Sequence, residues 1–259
     1  FEDITDLLID EAHVASSDSL KKICDGAVNA KLKVGMTGTL KADIIHPLTV
    51  QSRLGAVRRI VSVKQLQDRG QAAKTNIIRV KLDYSPEFRK RIHRSAYRDE
   101  MEFIVNCDQR NQIIKNFAKN TKGNTLLMFR VRDDHLKIIY DELCAEDPNK
   151  KYFMFTGTTA QVDKDAIKAY VETHDDACIL GTEKSISMGI SIRNLINFAF
   201  CHPTKSSISV LQSIGRMIRL HPDKEHANIF DFYDDLSTAS WINKSLEHGI
   251  ERAKHYESE

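Results

Sequence analysis

Four short stretches carry side chains whose types and spacing could do chemistry. Leu7-Leu8-Ile9-Asp10-Glu11-Ala12-His13 is an apolar run that ends in two adjacent carboxylates. Ligands of open α/β sheets gather at the carboxyl ends of strands. There one carboxylate can hold a divalent cation through its water shell, and the next can accept a proton from an attacking water. Val34-Gly35-Met36-Thr37-Gly38-Thr39 ends a second run in two hydroxyls around a glycine, able to hydrogen-bond carboxylates across strand ends. In Gln212-Ser213-Ile214-Gly215-Arg216-Met217-Ile218-Arg219, a helix would set Gln212, Arg216 and Arg219 within about 60° of one another. Two guanidiniums and an amide on one face suit phosphate oxygens, while Val210, Leu211, Ile214 and Ile218 would anchor the opposite face. The fourth stretch, Ile179-Leu180-Gly181-Thr182-Glu183 and then Met188-Gly189-Ile190-Ser191-Ile192, reads as a strand entering a glycine-punctuated loop.

Such stretches need a scaffold that ends several strands along one edge, and the chain supplies the pattern. Strands are expected at Asp6–Ile9, Lys33–Met36, Arg58–Val63, Ile77–Leu82, Thr125–Phe129, Tyr152–Phe155, Ala177–Leu180, Leu195–Phe200 and Ala227–Phe232. Runs apolar on successive residues, such as Leu126-Leu127-Met128-Phe129, suit strands buried on both faces of a parallel sheet. Helices are expected at Ser16–Gly26, Pro86–Asn106, Asp108–Asn120, Asp133–Ala145, Gln161–Thr173 and Ile208–Leu220. Ser85-Pro86 reads as an N-cap followed by proline in the first turn. A closing helix near Ser240–Tyr256 spaces Ile242, Leu246, Ile250 and Ala253 as a packing stripe. The alternation implies an α/β fold, a parallel sheet flanked by helices, with right-handed crossovers. The domain boundary is expected near Ala73–Asn76.

Composition excludes several classes. The 259 residues are 41% hydrophobic with a net charge of +2, which rules out low-complexity disorder. No run approaches the roughly 20 apolar residues of a spanning helix, which argues against a membrane span, and a cytoplasmic location is expected. The five cysteines are widely spaced without a Cys-x-x-Cys pair, as free thiols would be. Charge is unevenly spread. Arg53–Arg98 holds thirteen Lys or Arg against three acidic residues, a net of +10, and the remainder of the chain is acidic. Such a block fits contact with a polyanion. Arg91, Arg94 and Arg98 would share one face of the helix Pro86–Asn106 at i, i+3 and i+7.

Taken in order, the stretches resemble the motifs of superfamily 2 (DEAH-type) ATP-dependent helicases and translocases. Motif II would be Asp10–His13, III Thr37–Thr39, IV Thr125–Arg132, V Leu180–Ile192 and VI Gln212–Arg219, with Phe155-Thr156-Gly157 as a phosphate-contacting turn. Gly189-Ile190-Ser191-Ile192, Val210-Leu211-Gln212-x-Ile214-Gly215-Arg216 and His248-Gly249-Ile250-x-Arg252 are most similar to a phage-borne branch acting in recombination and repair. The resemblance implies RecA-like lobes: residues 1–74 as the C-terminal part of the ATP-binding lobe, and 75–259 as the second lobe with its terminal helix. It implies ATP and Mg²⁺ as cofactors and single-stranded or branched DNA, or an RNA–DNA hybrid, as partner. Asp10 would position the metal, Glu11 would activate water, and Arg216 and Arg219 would meet the γ-phosphoryl charge. His13, Thr37, Thr39, Gly189 and Gln212 would bind ATP and couple its state to lobe movement. Thr156, Gly157 and Thr182, with Arg91, Arg94 and Arg98, would hold nucleic acid. Two departures stand out. Ser191 occupies a position where many relatives carry Asp, and the chain has no Gly-Lys dipeptide, hence no G-x-x-x-x-G-K-[ST] phosphate loop. The resemblance therefore implies a chain beginning downstream of that loop and inactive alone as an ATPase. The alternatives are an RNA-directed relative or a non-catalytic nucleic-acid-binding or annealing module.

Overall fold

The computed structural model describes residues 1–12, 17–38, 45–131, 135–189, 192–203, 215, 219–222 and 224–257. They form two compact units, Phe1–Ser62 and Val63–Glu259.

In the first unit β1 (Asp6–Ile9) and β2 (Leu32–Gly35) pair in parallel, with Ile9 opposite Gly35. The crossover carries α1 (Asp18–Gly26), and α2 (Ile45–Leu54) follows β2. Leu7, Ile9, Ala12, Cys24 and Ala27 make its small core. The run expected as a strand at Arg58–Val63 pairs with none of the described strands. Residues 55–62 have no regular element, and Ile60 is 93% exposed. The short helix α3 (Val63–Asp68) takes over instead, its Val63 and Leu66 packing with Ala72 on the second unit's core.

The second unit holds a six-stranded sheet, all neighbours parallel, in the order β3-β8-β7-β4-β6-β5. Its strands are β3 (Lys74–Asp83), β4 (Thr125–Phe129), β5 (Lys151–Phe155), β6 (Ala177–Thr182), β7 (Asn197–Phe200) and β8 (His226–Asp235). Between them run α4 (Pro86–Ile92), α5 (Tyr97–Val105), α6 (Asp108–Asn120), α7 (Lys137–Glu146), α8 (Gln161–Thr173) and α9 (Glu183–Gly189), and α10 (Lys244–Glu257) closes the unit. The central strand β4 shows why the layers form. Leu126 and Met128 enter one core with Ile167, Val171 and Ile186, while Leu127 and Phe129 enter the other with Ile114, Leu136 and Leu143. Each such burial contributes about 1.5–3 kcal/mol. Among the described residues no helix is long and apolar enough to cross a membrane.

Two helix expectations are corrected. Pro86–Asn106 is two helices, broken at His93–Ala96, where Arg94 takes φ 59°. In one straight helix Phe88 and Phe103 would stand about 22 Å apart along the axis. Folding back brings their rings to 5.3 Å, beside Tyr84. The closing helix starts at Lys244 and does not bury the apolar stripe, for Ile242 and Ile250 are exposed. Its inward side is Ser245, Gly249 and Arg252, because β8 presents two fully buried carboxylates that need donors. Arg252 binds Asp231 at 2.6 Å, with Tyr256 on the other Asp231 oxygen. Arg110, Tyr84 and Ser245 converge on Asp234. From α5 the buried Glu100 accepts the first backbone N–H groups of α10, Lys244 at 2.9 Å and Ser245 at 2.6 Å, satisfying orphan donors in a place where negative charge suits the helix dipole. The helix expected at Ile208–Leu220 lies largely outside the described residues.

Candidate functional site

In the first unit the parallel pairing sets the acidic turn beside the hydroxyl turn. Beyond the last strand pair, Met36 N donates to Ile9 O and Ala12 N donates to Met36 O, both at 2.8 Å. The chain therefore runs Asp10-Glu11-Ala12 along the Met36–Thr37 backbone. Glu11 N donates to the Asp10 carboxylate at 2.8 Å, and Glu11 takes φ 51°. A non-glycine residue there costs on the order of 1–2 kcal/mol, a strain that clusters at functional sites. Gly35 makes the approach possible: a Cβ on it would lie 2.7 Å from the Ala12 Cβ and 2.6 Å from Leu54. Asp10 and Glu11 are both exposed and Thr37 is half-buried. Two carboxylates at a strand end are hard oxygen donors that suit Mg²⁺, which keeps several of its waters. His13 and Thr39, expected beside them, lie outside the described residues.

In the second unit the ends of β4, β6 and β5 bring together three of the expected nucleic-acid residues, Thr156, Gly157 and Thr182. Phe155 stands opposite Gly181 and Phe129 opposite Thr182, so Thr156 and Thr182 leave neighbouring strands side by side. Thr156 is fully buried, its hydroxyl within hydrogen-bond distance of Thr158 at 3.1 Å and Thr159 at 3.3 Å. It shapes the turn, and the exposed positions are Gly157 and Thr158. Thr182 bonds Ser185 at 2.9 Å across the first turn of α9. The stretch expected as a loop after Glu183 is thus a helix, with Gly189 as its last residue.

Arg91, Arg94 and Arg98 are exposed but do not share one helix face. Arg91 is near the end of α4, Arg94 is in the break, and Arg98 opens α5. Arg91 lines a cleft of about 720 Å³ that the carboxylate residues Asp99 and Glu102 also line. Beside Arg98, the Arg130 guanidinium lies over the Tyr97 ring and donates to its hydroxyl at 3.1 Å. Burial raises the Tyr97 pKa while Arg130 opposes the shift. Arg219 is exposed, and Gln212 and Arg216 lie outside the described residues. Burial lowers the pKa of the Lys224 ammonium to about 8, with Glu172 opposing the shift and Arg219 adding to it.

Sequence patterning had no signal for the buried acids Glu100, Asp231 and Asp234 or for the pair His202–Glu183, because each partner sits on a distant element. Gly35 lay inside a motif, but its reason, contact with Ala12, emerges only from the fold.

No protein-family model matches the chain. It is 27% identical over 266 residues to the ATP-dependent DNA helicase UvsW of Enterobacteria phage T4, covering 98% of this chain and 52% of that protein. It is 25% identical over 237 residues to a putative ATP-dependent helicase of Saccharomyces cerevisiae, covering 87% of this chain and 33% of the relative. The chain thus spans about half or less of the curated relatives it matches. The crystal structure of T4 UvsW superposes with TM-score 0.61 at 26% identity, over 99% of this chain and 52% of that one. Yeast Dbp5 bound to RNA and ADP BeF3 shares the fold at TM-score 0.58 and 12% identity, over 99% of this chain and 58% of that one.

Proposed function

As a homologue of T4 UvsW built on the superfamily 2 helicase fold, the chain carries, we propose, part of the machinery of an ATP-dependent DNA helicase or translocase. The whole protein would unwind or branch-migrate DNA in recombination, repair or replication restart, in the cytoplasm. Residues 1–74 would be the C-terminal part of the ATP-binding lobe and residues 75–259 the second lobe, the compact units themselves dividing between Ser62 and Val63. The observation that supports this most is the acidic turn at the end of β1, latched through Ile9 and Ala12 to the backbone of Met36, the residue before Thr37.

Asp10 would hold Mg²⁺ through water, and the metal would neutralise charge on the phosphate oxygens. Glu11, fixed in its turn, would orient the attacking water and take its proton. Thr37, Thr39, His13, Gln212 and Gly189 would couple nucleotide state to lobe movement. Arg216 and Arg219 would meet charge that develops on the γ-phosphoryl group. At the other edge Gly157, Thr158 and Thr182 would touch the phosphate backbone, with Thr156 holding the turn. Backbone contacts carry no sequence information, as translocation requires.

The test is ATP turnover by the whole protein with and without single-stranded DNA, beside a Glu11→Gln variant. DNA-stimulated hydrolysis is expected. It should fall by about 10²–10⁴ in the variant, which loses the proton acceptor but still binds nucleotide. Stimulation by RNA and not by DNA would move the assignment to an RNA-directed helicase. Absence of turnover with either polymer would leave a binding or annealing module.

A further inference from the structure

His202 stands just beyond β7 and is fully buried. Its Nδ1 lies 3.2 Å from the Met128 carbonyl oxygen of β4. A carbonyl only accepts, so that nitrogen carries a hydrogen. Nε2 then faces the Glu183 carboxylate within hydrogen-bond distance, at 3.2 Å. Of the nearby ionisable groups, Arg110 is committed to Asp234 and the Cys201 carbonyl. His135 is held well below the ordinary histidine range by burial and the Arg110 charge. Glu183 is thus the carboxylate that meets the His202 ring.

The positions of the two residues give the pair its meaning. Glu183 follows Thr182 and opens α9, and Ile186 one turn on packs against Gly181, so a shift of α9 carries the end of β6 with it. On the other side, Cys201 N is tied to the Met128 carbonyl at 2.9 Å. From His202 the chain passes the buried Pro203 and continues in sequence toward Gln212, Arg216 and Arg219. One side-chain pair therefore joins the strand end bearing Thr182 to the strand end from which the arginine stretch departs. An apolar pair of similar volume would hold these ends together as well or better. A polar pair with one partner near solvent makes a joint that can part.

We propose that His202 and Glu183 are positioning residues that transmit nucleic-acid contact at Thr182 to the segment carrying Arg216 and Arg219. The proposal rests on the helicase reading above.

The experiment measures ATP turnover of the whole protein, without DNA and over a range of oligo-dT concentrations. Glu183→Ala should leave unstimulated turnover within about twofold and lower DNA-saturated turnover about tenfold, the size of a typical coupling between sites. The half-saturating DNA concentration should change less than turnover does. Glu183→Gln should restore most of the stimulation, since its amide can donate to a neutral Nε2. Full stimulation in Glu183→Ala would overturn the proposal, and so would an equal loss with and without DNA. If the wild type is not stimulated by DNA, the helicase reading fails, and amide hydrogen exchange of the 259-residue chain decides on the joint itself. Glu183→Ala should then speed exchange at Thr182–Ser185 and at Cys201–His202 together. A rise confined to α9 would overturn the joint.

Discussion

The Cα of Gly35 faces the methyl group of Ala12 so closely that a Cβ on Gly35 would stand 2.7 Å from it. The contact ties two strand ends: Ala12 closes the Asp10-Glu11 turn, and Gly35 ends β2 just before Thr37. Glycine is needed there for space, and its backbone is ordinary strand.

Gly35→Ala should therefore push Ala12 and Leu54 outward. Overpacking of this kind costs about 1–3 kcal/mol. The expected result is a lower urea midpoint for the variant and weaker DNA-stimulated ATP turnover in the whole protein. Unchanged stability and turnover would show that the turn absorbs the methyl group without moving its carboxylates.

Arg219, proposed above to meet charge on the γ-phosphoryl group, is exposed. Arg219→Ala should slow hydrolysis by as much as about 10³ while ATP binding changes far less, because an arginine finger acts mainly in the transition state. A raised KM with kcat intact would mean that Arg219 holds the ground state only.

The basic block needs its charges weighed separately. Arg91 lines the cleft with Asp99 and Glu102, whereas Arg98 adjoins the Arg130–Tyr97 pair. Replacing Arg94 and Arg98 by Ala should flatten the slope of log K against log salt for a fluorescent oligonucleotide by up to about two, one for each phosphate no longer neutralised. Arg91→Ala should change it by much less. Equal slopes throughout would assign the block to solubility.

Sequence reading was strongest where one element carries its own signal. β1, β4, α6 and α8 match their expected bounds residue for residue, because an unbroken apolar run or a full helical period needs no outside information. It failed where distant groups decide. The stripe of Ile242 and Ile250 looked like a buried face, but buried Asp231, Asp234 and Glu100 draw the polar side of α10 inward. The break at His93–Ala96 is set by the packing of Phe88 on Phe103 and has no glycine or proline to announce it. Of the residues proposed for the site, Asp10, Glu11, Thr37 and Thr182 stand in motifs that the sequence displays by itself. The internal role of the Thr156 hydroxyl and the His202–Glu183 pair depend on neighbouring strands.

Lys224 gives a pH test. Its ammonium donates to the carbonyls of Arg193 and Leu195, and desolvation lowers its pKa from 10.5 to about 8. Between these values the unfolded chain binds more protons at this group than the folded one, so its contribution to stability rises with pH. Below pH 8 both states hold the proton and the contribution is level. The urea midpoint of the native chain relative to Lys224→Met should therefore climb between about pH 8 and 10. A difference that stays flat or falls over that window would show an ammonium that is not desolvated.

The last prediction concerns what seats the closing helix. Arg252 and Asp231 are both fully buried, 2.6 Å apart, and Arg252 also donates to the Phe232 carbonyl at 3.3 Å. Burying two charges costs several kcal/mol per ion, which their attraction offsets only while both remain. Arg252→Met strands the carboxylate with Tyr256 as its remaining named donor, so it should destabilise the chain by about 3–5 kcal/mol. Asp231→Leu combined with Arg252→Met removes both charges and should recover much of that loss. The coupling energy from the four urea titrations decides the matter: near zero, it would mean that α10 is held by the Glu100 cap and the packing of Gly249 on Tyr233, with the ion pair contributing little.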